Sequence, residues 1–211
     1  MNEIAVIYHN WLEDGAEPFL KSYLERPAGC LHDLILTGRT TGWDLSAYLD
    51  VARAIPHRYV CCVNSYTRIR STGWLLKLFR NWIPGKILGA FATREGGLLP
   101  FPNPHVRSNG FFVERVFFVD YFLPPVTKAE CYEMEHGARG MSRIFDPLLV
   151  DRHGTVYSER DWTYSKTFRL DDQENLLLSD NHSRRYDQAD EAERAQLRRL
   201  AWGDVGFAAG N

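Results

Sequence analysis

Four small polar residues, Asn64, Ser65, Tyr66 and Thr67, follow directly on the apolar run Arg58-Tyr59-Val60-Cys61-Cys62-Val63. An apolar run that breaks into polar residues reads as a buried strand entering a loop. In an open α/β sheet, ligands sit in the crevice at the carboxyl ends of the strands, so these side chains stand where a nucleotide or a sugar is expected. Asp44 and Arg39 follow the second apolar run. A carboxylate there can hold a base or a ribose, or it can cap the helix that begins beside it. Farther on, Glu133 and Glu135 flank the stripe Met134, Ala138 and Met141 in a segment of helical spacing. A carboxylate beside an acceptor hydroxyl can serve as general base. Glu133 shares its side of the helix with Gly137 and Gly140, which leave backbone bare for a substrate. Glu135 has the alternative of a surface pair with Arg139, worth about 0.3–0.5 kcal/mol.

Asn109-Gly110 with Arg107 reads either as a substrate wall, glycine permitting close approach, or as a hairpin turn. His136, Asp180 and His182 are metal-ligating by type but lie on separate elements, and the acidic run 171–174 reads as a solvated turn. The chain carries no G-x-S-x-G elbow, no G-x-G-x-x-G after the first strand and no P-loop. A nucleophilic hydrolase, a Rossmann dehydrogenase and a P-loop NTPase are therefore disfavoured.

The elements that must position these residues follow from hydrophobic spacing. Strands are expected over 3–9, 31–37 and 58–63, with helices over 18–24, 44–54 and 73–82 between and after them. A β-α-β-α-β-α order with short connections argues for a mostly parallel central sheet with helices on both faces. Further strands are expected over 86–92, 106–115 (broken at Asn109-Gly110) and 148–150. A helix is expected from Thr127 to about Phe145, and a last one over 187–202. The loop Gly96–Pro104, with two glycines and three prolines, is long enough to be functional.

The chain's 211 residues, 45% hydrophobic, suffice for one compact domain. With 25 basic and 27 acidic residues the net charge is −2, which excludes the clustered basic footprint of a nucleic-acid binder. No apolar run approaches the roughly 20 residues of a membrane span. The four cysteines have no metal spacing and read as reduced core thiols of a cytoplasmic protein. Oligomeric state is not legible.

This order of elements resembles bacterial glycosyltransferases of the GT-A fold, of the polysaccharide-synthesis type. The carriers are Ser22-Tyr23-Leu24 with Ala28–Leu34, Val63–Ile69, Val106–Val113, Glu135-His136-Gly137 with Ser142-Arg143, and Asp172–Leu177 with Asp180-Asn181. The resemblance covers most of residues 3–202. It implies a single GT-A-like domain over 1–202, with a nucleotide-binding half at about 1–95, an acceptor-side half at about 105–202 carrying a C-terminal α+β extension, and a tail at 203–211. It also implies transfer of a sugar from a nucleotide-sugar donor to a glycan or lipid-linked acceptor. Glu135 matches the family's acidic residue before x-Gly and becomes the general base of an inverting reaction, with Glu133 second. Asp44, Asn64, Ser65, Arg68, Arg70 and Asn109 would surround the donor.

One departure changes the expected chemistry. The family places an Asp-x-Asp-like element after the central strand to hold a metal, and the corresponding Asn64-Ser65-Tyr66-Thr67 has no carboxylate. Mg²⁺ and Mn²⁺ prefer anionic oxygen ligands, so metal dependence is not expected. Either Arg68 and Arg70 clamp the diphosphate directly, or the chain is a non-catalytic nucleotide- or sugar-binding relative within a polysaccharide-assembly complex.

Overall fold

In the computed structural model, residues 2–11, 16–38 and 43–204 are described. Arg39, most of the first loop and the tail beyond 204 lie outside them.

Strand β1 (Ile4–His9) is buried along its whole length. It pairs in parallel with β2 (Asp33–Thr37) on one side and β3 (Tyr59–Asn64) on the other. Strands buried on both faces read as continuous apolar runs, which is why β1 and β3 stand out in the sequence. Strand β2 is a half-buried edge. It starts at Asp33 and not at Leu31, whose side chain is exposed. Helices α1 (Glu17–Glu25) and α2 (Asp44–Ala54) make the two crossovers.

After β3 the chain turns through 65–67 into the short β4 (Arg68–Ile69), then α3 (Trp74–Arg80) and β5 (Lys86–Gly89). Helix α3 has no side-chain cap. Its free N–H end is met by backbone, since Gly73 N–H donates to Pro27 O (2.7 Å) and Leu76 N–H to Ala28 O (3.0 Å). That leaves orphan helix donors satisfied and presses Gly29 against Gly73.

The expected strand 86–92 is two pieces, β5 and β6 (Ala92–Thr93). β6 pairs antiparallel with β7 (His105–Val106), closing the 94–104 loop at its base. The expected strand 106–115 is likewise divided. Its break at Asn109-Gly110 is real, but β7 belongs to this two-stranded ribbon while β8 (Gly110–Glu114) enters the main sheet. From Arg115 the chain is helical, as α4 (Arg115–Tyr121).

The single helix expected over 127–145 is also two, α5 (Lys128–His136) and α6 (Met141–Ile144). Thr127 and Glu130 start α5 with a reciprocal capping box. It stops at Gly137, where helical glycine costs about 1 kcal/mol and the Glu133 carboxylate occupies the space a Cβ would fill. Strands β9 (Asp146–Val150) and β10 (Val156–Tyr157) follow, then a 3-10 turn over Glu159–Tyr164. The chain ends with β11 (Leu178–Ser179), which pairs with β4, and helices α7 (Asn181–Gln188) and α8 (Glu191–Trp202). Only α8 was expected.

The main sheet has seven strands in the order β10-β9-β5-β8-β3-β1-β2. β8 runs antiparallel to both β3 and β5, β5 and β9 are parallel, and β10 is reversed. The chain is thus α/β with a mixed sheet, five of whose strands share one direction.

Gly29 has φ +86°, and a Cβ there would lie 2.9 Å from Gly73 Cα. Gly29→Ala is predicted to cost roughly 1–3 kcal/mol from backbone strain and backbone contact together, read as a lowered urea midpoint at unchanged slope.

Candidate functional site

The chain leaves β1 to form β2 on one side and returns to form β3 on the other. The carboxyl ends of β1 and β3 therefore flank a topological switch point, where open α/β sheets bind ligands. A cavity of about 180 Å³ lies there, lined by His9, Trp11, Trp43, Asp44 and the tip 64–66. Trp11 and Trp43 stack with centroids 5.6 Å apart. Burial keeps the His9 imidazole neutral by lowering its pKa.

The tip is braced from inside. Asn64 accepts the Tyr66 N–H on Oδ1 (3.1 Å), and Thr67 Oγ1 donates to Asn109 O (2.8 Å). Ser65 Oγ donates to His9 O and accepts the Trp11 N–H at 2.5 Å. Arg68 Nη1 donates to the Ser65 and Thr67 carbonyls (2.7 and 2.8 Å), and Arg184 Nη1 to Tyr66 O (2.9 Å). Arg68 is therefore a strut beneath the tip through its Nη1, while Arg70, just past β4, is exposed. Burial and then the neighbouring Arg184 lower the Arg68 pKa. The neutral oxygens of Asn64 and Ser65 are already engaged, so the tip does not fit a divalent metal.

Asp44 is the first helical residue of α2, with Trp43 in the capping position. Its carboxylate accepts from Leu45 N–H (2.9 Å), Asn64 Nδ2 (3.2 Å) and Ser108 Oγ (3.1 Å). Ser108 N–H in turn donates to Glu135 Oε1 (2.8 Å). Asn64, Asp44, Ser108 and Glu135, far apart in sequence, thus form one hydrogen-bonded path. The surface pair between Glu135 and Arg139 is not what the fold builds. Arg139 gives its backbone N–H to Glu133 Oε1 (3.3 Å). Glu133 is exposed and lines a separate cavity with Tyr121 and Pro124, so the two glutamates do not share a substrate face.

Glu135 borders a second, larger cavity of about 440 Å³, walled by the 95–98 loop, His105, Arg107, Tyr132, His136 and His182. Burial pushes the Glu135 carboxyl up, but Arg107, His105, the Ser108 N–H and His136 together hold it below the usual carboxylate range. Asp44 goes the other way, raised by burial and by Glu135 despite its three donors. Arg107 lies 3.8 Å from Glu95, 3.7 Å from Asp180 and over the Phe168 ring. Fully buried Asp180 caps α7 through Ser183 N–H (2.6 Å) and accepts Asn109 Nδ2 (2.6 Å). Asn109 is consequently turned inward, a support and not a substrate wall. His136 and His182 do meet at one cavity, with Asp180 behind Arg107. Among the described residues no group of three or more His, Cys, Asp or Glu side chains could hold a metal ion.

Sequence reasoning missed His9, Trp11, Trp43, Glu95 and His105. The available signals were a His and two Trp at the edges of the first two strand-to-helix loops, and the Gly- and Pro-rich segment 96–104, whose flanks carry Glu95 and His105. No helix among the described residues is long and apolar enough to cross a membrane. No family model matches the chain, and no curated protein matches it either.

Because the folded state raises the Asp44 pKa, Asp44 binds its proton more tightly native than unfolded. Its contribution favours folding at low pH and is lost as pH rises through the folded value. Asp44→Asn removes this titration. The stability of wild type relative to Asp44→Asn is predicted to fall as pH rises from about 4 to 7, measured by urea unfolding at each pH.

Proposed function

We propose that this chain is a cytoplasmic glycosyltransferase with a GT-A-like fold and a C-terminal α+β extension, moving a hexosyl unit from a nucleotide-sugar donor to a glycan or lipid-linked acceptor with inversion. The observation that carries the reading is the path through Ser108, which joins Asp44 at the switch-point cavity to Glu135 at the larger one. A transfer needs two ligands meeting at a single wall, and this wall holds a carboxylate on each side.

The donor's nucleoside goes to the switch-point cavity, against Trp11 and Trp43, with Asp44, Asn64 and Ser65 around it. The acceptor enters the larger cavity. Its hydroxyl oxygen attacks the anomeric carbon, Glu135 takes the hydroxyl proton, and the bond to the diphosphate breaks with its electron pair leaving on phosphate oxygen. Because its pKa is depressed, Glu135 is ionised and able to accept at neutral pH. Arg68 and Arg184 supply positive charge behind the tip through space. The acid limb of the pH–rate profile assigned to Glu135 is expected below the ordinary carboxylate range.

Glu135→Gln keeps the volume and removes the basic oxygen. It is predicted to lower transfer by about 10²–10⁴ while leaving nucleotide affinity and Tm nearly unchanged. Glu133→Gln, on the other side of α5, should leave transfer intact. The reverse pattern removes Glu135 as base. The second reading, a non-catalytic nucleotide- or sugar-binding relative, is favoured by Arg68, whose Nη1 is committed to backbone carbonyls. It becomes the better one if the wild type binds nucleotide sugars and transfers from none of them.

A further inference from the structure

We propose that the larger cavity beside Glu135 is a subsite for an uncharged carbohydrate ring, recognised through its hydroxyl groups. This rests on the transfer reading only in making that carbohydrate the acceptor. As a binding site it stands on the hydrogen-bonding capacity that the cavity wall leaves unspent.

The histidine tautomers follow from their partners. His105 Nδ1 lies 2.7 Å from Asn103 O. A carbonyl only accepts, so Nδ1 carries the proton and a neutral His105 leaves Nε2 as a bare acceptor. His182 Nδ1 lies 3.3 Å from Arg169 Nη2. A guanidinium only donates, so Nδ1 accepts and Nε2–H remains a donor. Burial lowers both pKa values, which keeps both rings neutral at pH 7.

The charged groups divide in the same way. Glu135 spends Oε1 on Ser108 and keeps Oε2. Glu95 meets Arg169 at 3.4 Å and Arg107 at 3.8 Å through Oε2, and keeps Oε1. Arg107 is held at ionic contact, 3.7 Å at the nearest, with its five N–H groups short of hydrogen-bond distance. Both donors and acceptors therefore line the cavity. An oxyanion would meet Glu95 and Glu135, with Asp180 behind Arg107. An ammonium would meet Arg107, with Arg169 behind Glu95. A hydroxyl gives one hydrogen bond and takes another, so a polyhydroxy ring can satisfy both kinds. Tyr132 and Leu98, both exposed at the rim, offer apolar surface to its C–H face. Gly97 packs on the His136 ring so closely that a Cβ would lie 2.6 Å from it.

The test titrates the full chain by saturation-transfer NMR and calorimetry. The probes are neutral methyl glycosides (glucose, galactose, mannose, N-acetylglucosamine), glucuronate, glucosamine, inorganic phosphate, UDP and GDP. A neutral glycoside is expected to bind at neutral pH and to weaken as pH falls and His105 loses its acceptor. Glu95→Gln, which also takes a counter-charge from Arg169 and Arg107 and so lowers Tm, is expected, at a temperature where it is fully folded, to weaken glycoside binding about tenfold or more with UDP and GDP affinities unchanged. His105→Phe, at a buried position, is a second variant to be read only if its Tm is retained. Tighter binding of glucuronate, glucosamine or phosphate overturns the proposal. So does the lack of any glycoside binding up to about 10 mM, or an unchanged glycoside affinity in Glu95→Gln. Glycoside binding without nucleotide binding would remove the transferase reading and keep the subsite. Nucleotide binding without glycoside binding would do the opposite.

Discussion

Carboxylates withdrawn from water must be met by donors, because an unpaired buried charge costs several kcal/mol. Three consecutive residues carry that duty here. Arg107 stands between Glu95 and Asp180, Ser108 donates to Asp44 and Glu135, and Asn109 donates to Asp180. The chain turns at Ser108 and Asn109 between β7 and β8, and Ser108 uses both its hydroxyl and its backbone N–H, so three adjacent positions reach carboxylates arriving from α2, α5, the 95–98 loop and the α7 cap.

The reversed strand β8 is what places that segment. It enters between β3 and β5, with Gly110 opposite Val63, so residues 107–109 emerge beside the tip 64–67. Gly110 sits so tightly that a Cβ would lie 3.0 Å from the Phe91 ring. Thr67 then ties the tip to Asn109. Sheet order, glycine and hydroxyl act at one junction, and the β4–β11 ribbon with α7 closes over it through Asp180.

The first half of the fold was legible because β1 and β3 are buried on both faces and the connections are short. The second half resisted for particular physical reasons. Helix 127–145 reads as one stripe, yet Glu133 folds back on Gly137 and ends it. Helix α7 has few apolar residues, and its start was signalled only by Asp180-x-x-Ser183, whose two side chains cap one another's backbone. Strand β8 cannot be told from a parallel strand by composition, since direction is set by partners distant in sequence. At the candidate site, Asp44, Asn64, Ser65 and Glu135 could be named from position. Polarity in a loop does not reveal that Asn109 donates to Asp180 or that Arg68 Nη1 braces backbone carbonyls. Glu95 and His105 carry no spacing signal at all; folding alone brings them together.

The serine between Asp44 and Glu135 has a thermodynamic corollary. Asp44 feels the charge of Glu135, and Ser108, bonded to both, fixes the distance over which it does so. A ligand on the α2 side that alters the proton affinity of Asp44 must alter that of Glu135, and a ligand beside Glu135 must act back on Asp44 by the same free energy, since such coupling is reciprocal. The ionisation of either carboxylate is in that sense written into the proton affinity of its neighbour.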